Sequence, residues 1–211
     1  MFSNKKQNFG FLGMSGIGKS YWTAKLAKHG FTAIDCDARV IVEVSKSANI
    51  PFSTLHEAGN WLQFPNMPNY AQREALFLAC ENEIIAQIAK MDFENQANRY
   101  IIDMGGSAIY AQKEVLELLK QKLFLIYFDI SEEVYQEMLE KYLKNPPPVI
   151  WNGFFVQNEG ENTMQAFQHS YPKLIQSRRQ KYLELADIVI PYELHRQKNW
   201  QVEDFLAYTK V

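Results

Sequence analysis

Cysteine is nearly absent from this 211-residue chain: Cys36 and Cys80 stand alone, and no C-x-x-C spacing occurs. That excludes a disulfide scaffold and a cysteine-based metal site, and it predicts two packing thiols in a reducing compartment. Long apolar runs are missing as well. No stretch reaches the ~18 residues that a membrane span needs. The first residues carry no apolar signal core, so the expected location is the cytoplasm. A surplus of either charge is also lacking, with 22 Lys and Arg against 24 Asp and Glu. Nothing therefore draws the chain to nucleic acid or to an anionic membrane, and the pair Lys5-Lys6 is too short for a nucleic-acid arm. His29, His56, His169 and His195 lie far apart without helical ligand spacing, which argues against a metal site built on imidazole. There is no internal repeat and no low-complexity tract. Hydrophobic residues make up 47% of the chain, so one domain spanning 1–211 has enough apolar side chains for a substantial core.

What is present is a loop. Residues 13–20 read Gly13-Met14-Ser15-Gly16-Ile17-Gly18-Lys19-Ser20, a complete G-x-x-x-x-G-K-S pattern. Residues 8–12 before it suit a short buried strand, and 21–28 after it carry Trp22, Leu26 and Ala27 at helical spacing. Strand, glycine loop and helix form the context in which this pattern cradles phosphate. Glycines let backbone N–H groups turn inward toward anionic oxygens, and the positive end of the next helix adds to that field. Gly13, Ser15, Gly16, Ile17, Gly18, Lys19, Ser20 and Tyr21 are the candidate nucleotide contacts. Lys19 is placed to reach the β- and γ-phosphates of ATP, and Ser20 to offer its hydroxyl to Mg²⁺.

Strand-like and helix-like segments alternate along the chain, which predicts an α/β protein with a parallel sheet and helices on both faces. Strands are expected at 8–12, 31–34, 99–102, 123–128 and 187–190. A helix is expected over 71–90, a loop over 61–70, and a helix over 131–144 that ends at Pro146-Pro147-Pro148. Further helices are expected at 171–186 and 200–208. Residues 38–98 form a helical region between the second and third strands, too long for a plain crossover. Residues 145–168 hold aromatics, Asn and Gly without clear periodicity, and they read as a lid.

In an open parallel sheet the ligand crevice lies at the carboxyl ends of the strands. Asp35, Asp37 and Asp103 all fall there. Each alone also reads as a turn or cap aspartate, but three beside a phosphate loop point to a site. Asp35 and Asp103 are the candidate Mg²⁺ carboxylates with Ser20. Gly105-Gly106-Ser107 is either a close backbone approach to a ligand or a tight turn. Of Arg178 and Arg179 only one can face the crevice, because neighbours on a helix point about 100° apart. A solvated basic face is the alternative for either.

The loop 13–20, the run Gly30-Phe31-Thr32-Ala33-Ile34-Asp35-Cys36-Asp37, the Gly105-Gly106 turn and the closing Arg178-x-x-x-Tyr182-x-x-x-Ala186-Asp187 resemble shikimate kinase and its P-loop small-molecule kinase relatives. The resemblance implies a three-layer P-loop kinase fold with a five-stranded parallel sheet in order 2-3-1-4-5 and an ATP lid. It also implies transfer of the γ-phosphoryl of MgATP to a small-molecule hydroxyl. By position, Asp35 resembles the carboxylate near Mg²⁺, Asp37 the carboxylate that holds the acceptor hydroxyl, and Arg178 the arginine on the acceptor's carboxylate. Gly105 and Gly106 fall in the acceptor turn. Asn145 stands where the lid arginine is expected and Met138 where an arginine shelves adenine. Ala71 stands at a substrate arginine, with Arg73 close enough to substitute. Ser107 replaces a third glycine. The run Ile34-Asp35-Cys36-Asp37 also resembles dephospho-coenzyme A kinase, though the basic lid of that family is unmatched.

The leading expectation is a P-loop small-molecule kinase with an altered acceptor, catalysed by Lys19, Asp37 and Arg178. Arg73, Gly105 and Gly106 join Asp37 and Arg178 on the substrate side, with ATP and Mg²⁺ as cofactors. The alternative is a nucleotide-binding regulatory or interaction protein with weak or no kinase activity, motivated by the acidic-to-neutral lid and its exposed aromatics Trp151, Phe154 and Phe155, which could dock a partner or equally pack the closed lid over the nucleotide. No protein partner is otherwise indicated.

Overall fold

The computed structural model describes residues 8–93 and 98–210. Lys5 and Lys6 lie outside them, as does part of the 38–98 region. Five strands form one parallel sheet: β1 (Phe9–Leu12), β2 (Phe31–Asp35), β3 (Arg99–Asp103), β4 (Phe124–Phe128) and β5 (Ile188–Ile190), in order β2-β3-β1-β4-β5. All four residues of β1 are buried, as expected of a central parallel strand covered on both faces. Phe9 and Phe11 stack on one face against Phe205, which also packs on Trp22. Gly10 sits between them in sequence and meets Leu125 and Met104 closely on the other face.

The helices are α1 (Lys19–Ala27), α2 (Cys36–Ala48), α3 (Leu55–Leu62), α4 (Tyr70–Ala89), α5 (Lys113–Lys122), α6 (Tyr135–Lys144), α7 (Thr163–Leu185), α8 (Tyr192–His195) and α9 (Val202–Thr209). Local chemistry fixes several of their ends. Asp35 caps α2 through a 2.9 Å bond from the Ala38 N–H. Thr54 and Glu57 form a reciprocal capping box at α3. The aperiodic stretch before α4 is therefore shorter than expected, since Trp61 and Leu62 belong to α3. The largest difference lies in α7. Pro172 resembles a first-turn proline, which would start a helix at 171. Asn162 and Gln165 instead form a capping box, and the helix runs through Pro172 from Thr163.

The 145–162 stretch lacks regular structure but is not all surface. Val149, Ile150 and Trp151 are buried, and Trp151 is 1% exposed. Its ring lies 5.4 Å from Phe167, 5.6 Å from Phe155 and 5.9 Å from Tyr171. Phe154 and Phe155 are half-buried against the same core. The aromatics expected as an exposed surface therefore face inward, because periodicity carries no signal in an irregular segment. Gly59 of α3 lies directly against the Pro146 carbonyl, so the proline run and α3 are packed backbone to backbone. Among the described residues no helix is long and apolar enough to cross a membrane.

Candidate active site

The phosphate loop joins β1 to α1. Gly13, Gly16 and Gly18 have φ of 142°, 79° and 114°, which other residues rarely adopt. Gly18 caps α1 without any side-chain cap, so the first amides of α1 have no competing side-chain acceptor there. Lys19 folds back into the loop. Its ammonium donates to the Gly13 carbonyl at 2.9 Å and to the Met14 carbonyl at 3.1 Å, and the side chain is buried. This closed ring of amides around a cation fits a polyphosphate. Met14 and Ile17 anchor the loop as buried apolar residues. Tyr21 turns its ring to solvent with the Lys25 ammonium 5.0 Å above it, so only its backbone amide faces the cradle's end of α1.

Parallel pairing sets the acids. Asp35 and Asp103 are register partners across β2 and β3, and Phe11 pairs with Asp103 across β1 and β3. Asp103 therefore ends its strand beside the loop. It is buried, which raises its pKa, while the Lys19 charge and the Ser20 hydroxyl pull it back down. Asp35 spends Oδ1 on the α2 cap, the role expected of a strand-end aspartate, and Oδ2 takes no part in that bond. Among the described residues no three His, Cys, Asp or Glu side chains gather into a metal cage. A Mg²⁺ carried in by phosphates needs no such cage; one or two carboxylates and a hydroxyl suffice, and Ser20, Asp103 and Asp35 are the candidates for them.

Asp37 lies in the first turn of α2 and lines the cleft. Burial raises its carboxyl to about 6, with Asp103 and Asp35 adding to the rise and Lys19 opposing it. A Cβ on Gly105 would lie 2.6 Å from Asp37 Oδ1 and 2.5 Å from Glu81 Oε1. Gly105 is thus the notch that lets two carboxylates approach each other. Glu81 was not foreseen. It sits on the buried stripe of α4 with Phe77, Ile84, Ile85 and Ile88, where a charged residue at apolar spacing is the available signal. It is 2% exposed, and its Oε2 has no hydrogen-bond partner. Burial pushes its carboxyl up to about 7; Asp37 adds to this, and the Ser107 hydroxyl, Arg178 and Lys19 oppose it.

That burial sets a sign for pH. The folded state holds a proton on Glu81 between about pH 4.5 and 7, where the unfolded chain has released it, so stability falls as pH rises through this window. The expected loss is roughly 3 kcal/mol, with Asp37 acting in the same direction up to about pH 6. Urea unfolding of wild type and Glu81→Gln from pH 4.5 to 7.5 tests it: the variant should show a much flatter profile.

Arg178 faces the cleft and Arg179 does not. Arg179 makes a two-pronged pair with Asp129 at 2.9 and 2.8 Å. Arg178 is 2% exposed; it donates to the Ile150 carbonyl and, at 3.7 Å, to the Met14 sulfur. Its Nη1 lies 3.2 Å from where a Gly106 Cβ would sit, which accounts for glycine there. Arg73 does not reach the cleft. Its guanidinium donates to the Trp61 carbonyl and lies 5.8 Å from the Trp61 ring, one consequence of α3 packing beside α4. Arg196 is the second unforeseen residue. It follows α8, lines the cleft and places Nη1 3.6 Å from the position of a Gly18 Cβ. The segment after the last strand returns to the crevice edge, and that topological rule is the only sequence signal for it.

Ser15, Gly16 and Ile17 of the loop, Asp37, Gly106, Ser107, Arg178 and Arg196 line one cleft of about 1020 Å³, part of it open to solvent. Met138 and Tyr192 also line it, with the Arg196 guanidinium 5.9 Å from the Tyr192 ring, and Leu55, Phe77, Tyr142, Val149 and Tyr171 add apolar and aromatic lining. The fold recurs in solved structures. A shikimate kinase from Acinetobacter baumannii in complex with shikimate matches at 19% identity and TM-score 0.54, covering 96% of this chain and 89% of that one. Shikimate kinase from Bacteroides thetaiotaomicron matches at 15% and 0.56, covering 97% and 99%. The chain has the shikimate kinase fold. Shikimate kinase from Aquifex aeolicus matches equally well, at 18% identity and TM-score 0.55 with 96% of each chain covered. No family model and no curated protein sequence matches the chain. The shikimate kinase fold accounts for the order β2-β3-β1-β4-β5.

Proposed function

We propose that the chain is an ATP-dependent phosphotransferase that moves the γ-phosphoryl of MgATP to a hydroxyl of a small molecule. The observation that carries this reading is the Lys19 ammonium held inside a loop whose Ser15, Gly16 and Ile17 line one cleft with Asp37, a carboxylate raised to about 6. Lys19 exchanges its carbonyl partners for β- and γ-phosphate oxygens. Ser20, Asp103 and Asp35 are the residues that would hold Mg²⁺, which supplies charge neutralisation on the transferring group. Asp37 orients the acceptor hydroxyl and takes its proton. Arg178 flanks Gly106, and Arg196 brings beside Gly18 of the loop a cation that the 145–162 segment, without Lys or Arg, does not offer. Met138 and Tyr192 give apolar surface for the base. A cytoplasmic location suits this chemistry.

The test is a screen of hydroxylated metabolites for acceptor-dependent ADP release. With an acceptor in hand, Asp37→Asn should lower kcat by roughly 100-fold or more while MgATP affinity stays within about threefold. Loss of MgATP binding in that variant would contradict the assigned role.

A second reading has one specific support. Asn145 lines the cleft at the position where the resemblance expects a lid arginine. A nucleotide-binding regulatory protein would bind MgATP equally well yet turn over slowly with every acceptor tried.

A further inference from the structure

We infer that the acceptor is a hydroxylated molecule carrying an ammonium group, recognised by the carboxylates of Asp37 and Glu81 and by the aromatic wall of the cleft. This rests on the phosphotransferase reading and specifies its substrate class. The charges around the cleft decide the matter. Most donors of the cations in and around it have a task. Arg196 lies beside Gly18 of the phosphate loop. Lys141 pairs with Glu137 at 2.6 Å. Arg178 spends donors on the Ile150 carbonyl and the Met14 sulfur and lies 5.5 Å from the Tyr110 ring. Lys19 belongs to the phosphates. Arg73 is held at Trp61, and Ala71 carries no charge. Among their buried donors in the described residues only Arg178 Nε is left without a partner, so a carboxylate on the acceptor would meet a single buried N–H there rather than a fully free guanidinium.

The acids are in the opposite position. Asp37 and Glu81 converge on Gly105, and among the described residues neither has a cationic side chain within salt-bridge distance. Glu81 Oε2 is buried without any hydrogen-bond partner. A buried carboxylate lacking a partner carries a large desolvation cost, which an incoming cation relieves. Glu81 lies behind Asp37, which lines the cleft with Phe77, Tyr142 and Tyr171, and aromatic faces attract ammonium groups. An acceptor with its hydroxyl on Asp37 and its ammonium toward the Gly105 notch satisfies both acids. A free alkali-metal ion would relieve the charge equally but would make no use of the aromatic wall.

Three probes sharing one ring and one hydroxyl separate these cases: trans-2-aminocyclohexanol, trans-cyclohexane-1,2-diol and trans-2-hydroxycyclohexanecarboxylate. Their affinities are read by ligand-observed NMR on the full chain with Mg²⁺ and a non-hydrolysable ATP analogue, in sodium-free and potassium-free buffer. The amine should bind about tenfold tighter than the diol, and the carboxylate weakest. Glu81→Gln should erase the margin between amine and diol. The comparison on wild type needs no variant, so a Glu81→Gln that fails to fold leaves it decisive. A carboxylate probe that binds as tightly as the amine, equal binding of all three, or no binding by any overturns the inference. Potassium chloride that abolishes the amine's advantage and raises thermal stability at constant ionic strength assigns the notch to a metal ion, and overturns it too. Analogue binding is read in the same samples. Its absence would sink the phosphotransferase reading while the probe order still judges the charge preference.

Discussion

Lys19→Ala removes MgATP binding from the affinity range measurable by calorimetry, weakening Kd by about a hundredfold or more. In the free protein the ammonium is already inside the loop, held by the Gly13 and Met14 carbonyls rather than by solvent. Phosphate oxygens therefore replace existing protein contacts at a desolvated cation. Truncating one member of such a buried charged pair costs about 3 kcal/mol, which is the stated factor. The same change removes the cation that opposes the raised pKa of Asp103 and Asp37. Folding stability in the absence of nucleotide should then decline as well, most at neutral and higher pH, where both acids are ionised. Isothermal titration of wild type and variant with MgATP checks the first effect. Nucleotide affinity that survives the substitution would contradict the phosphate-cradle assignment.

Trp151→Ala should be the most destabilising single change in the covering segment, by about 4 kcal/mol. The indole is 1% exposed, its N–H donates to the Tyr142 hydroxyl at 3.0 Å, and its backbone N–H donates to the Tyr70 hydroxyl at 2.8 Å. Truncation opens a cavity among Tyr142, Phe155, Phe167 and Tyr171 and leaves a buried hydroxyl without its donor. For a chain of this length that corresponds to a fall in Tm of roughly 10 °C. Differential scanning calorimetry measures it. Trp151→Phe, which keeps the ring and loses only the indole donor, should recover more than half. A Tm change below about 3 °C for the alanine variant would show that the segment does not share the core's cooperativity.

Legibility in the sequence follows range. The phosphate loop, the five strands and the Asp35 cap depend on neighbours a few residues away, and local pattern finds them. The β2-β3-β1-β4-β5 order was expected from the family resemblance, and the solved structures carry it. Glu81 depends on which face of α4 turns inward. Its spacing from Phe77, Ile84 and Ile88 holds that information, but a glutamate within an amphipathic helix normally reads as solvated. Arg73 looked available because α3 was hidden in a stretch rich in Pro and Asn; once α3 forms, the Trp61 carbonyl takes the guanidinium. Arg196 comes near Gly18 only through the return of the chain after β5. Trp151 is buried by contacts with α6 and α7 that no periodicity announces.

The bond between Arg178 and the Ile150 carbonyl joins the floor of the cleft to its roof. That guanidinium flanks Gly106, where the proposed transfer would bring negative charge, and it also moors the first residues after the proline run. A phosphoryl oxygen drawing it away would unfasten the roof at its root. Arrival of charge below would thereby ease departure above, with one side chain serving as both anchor and trigger.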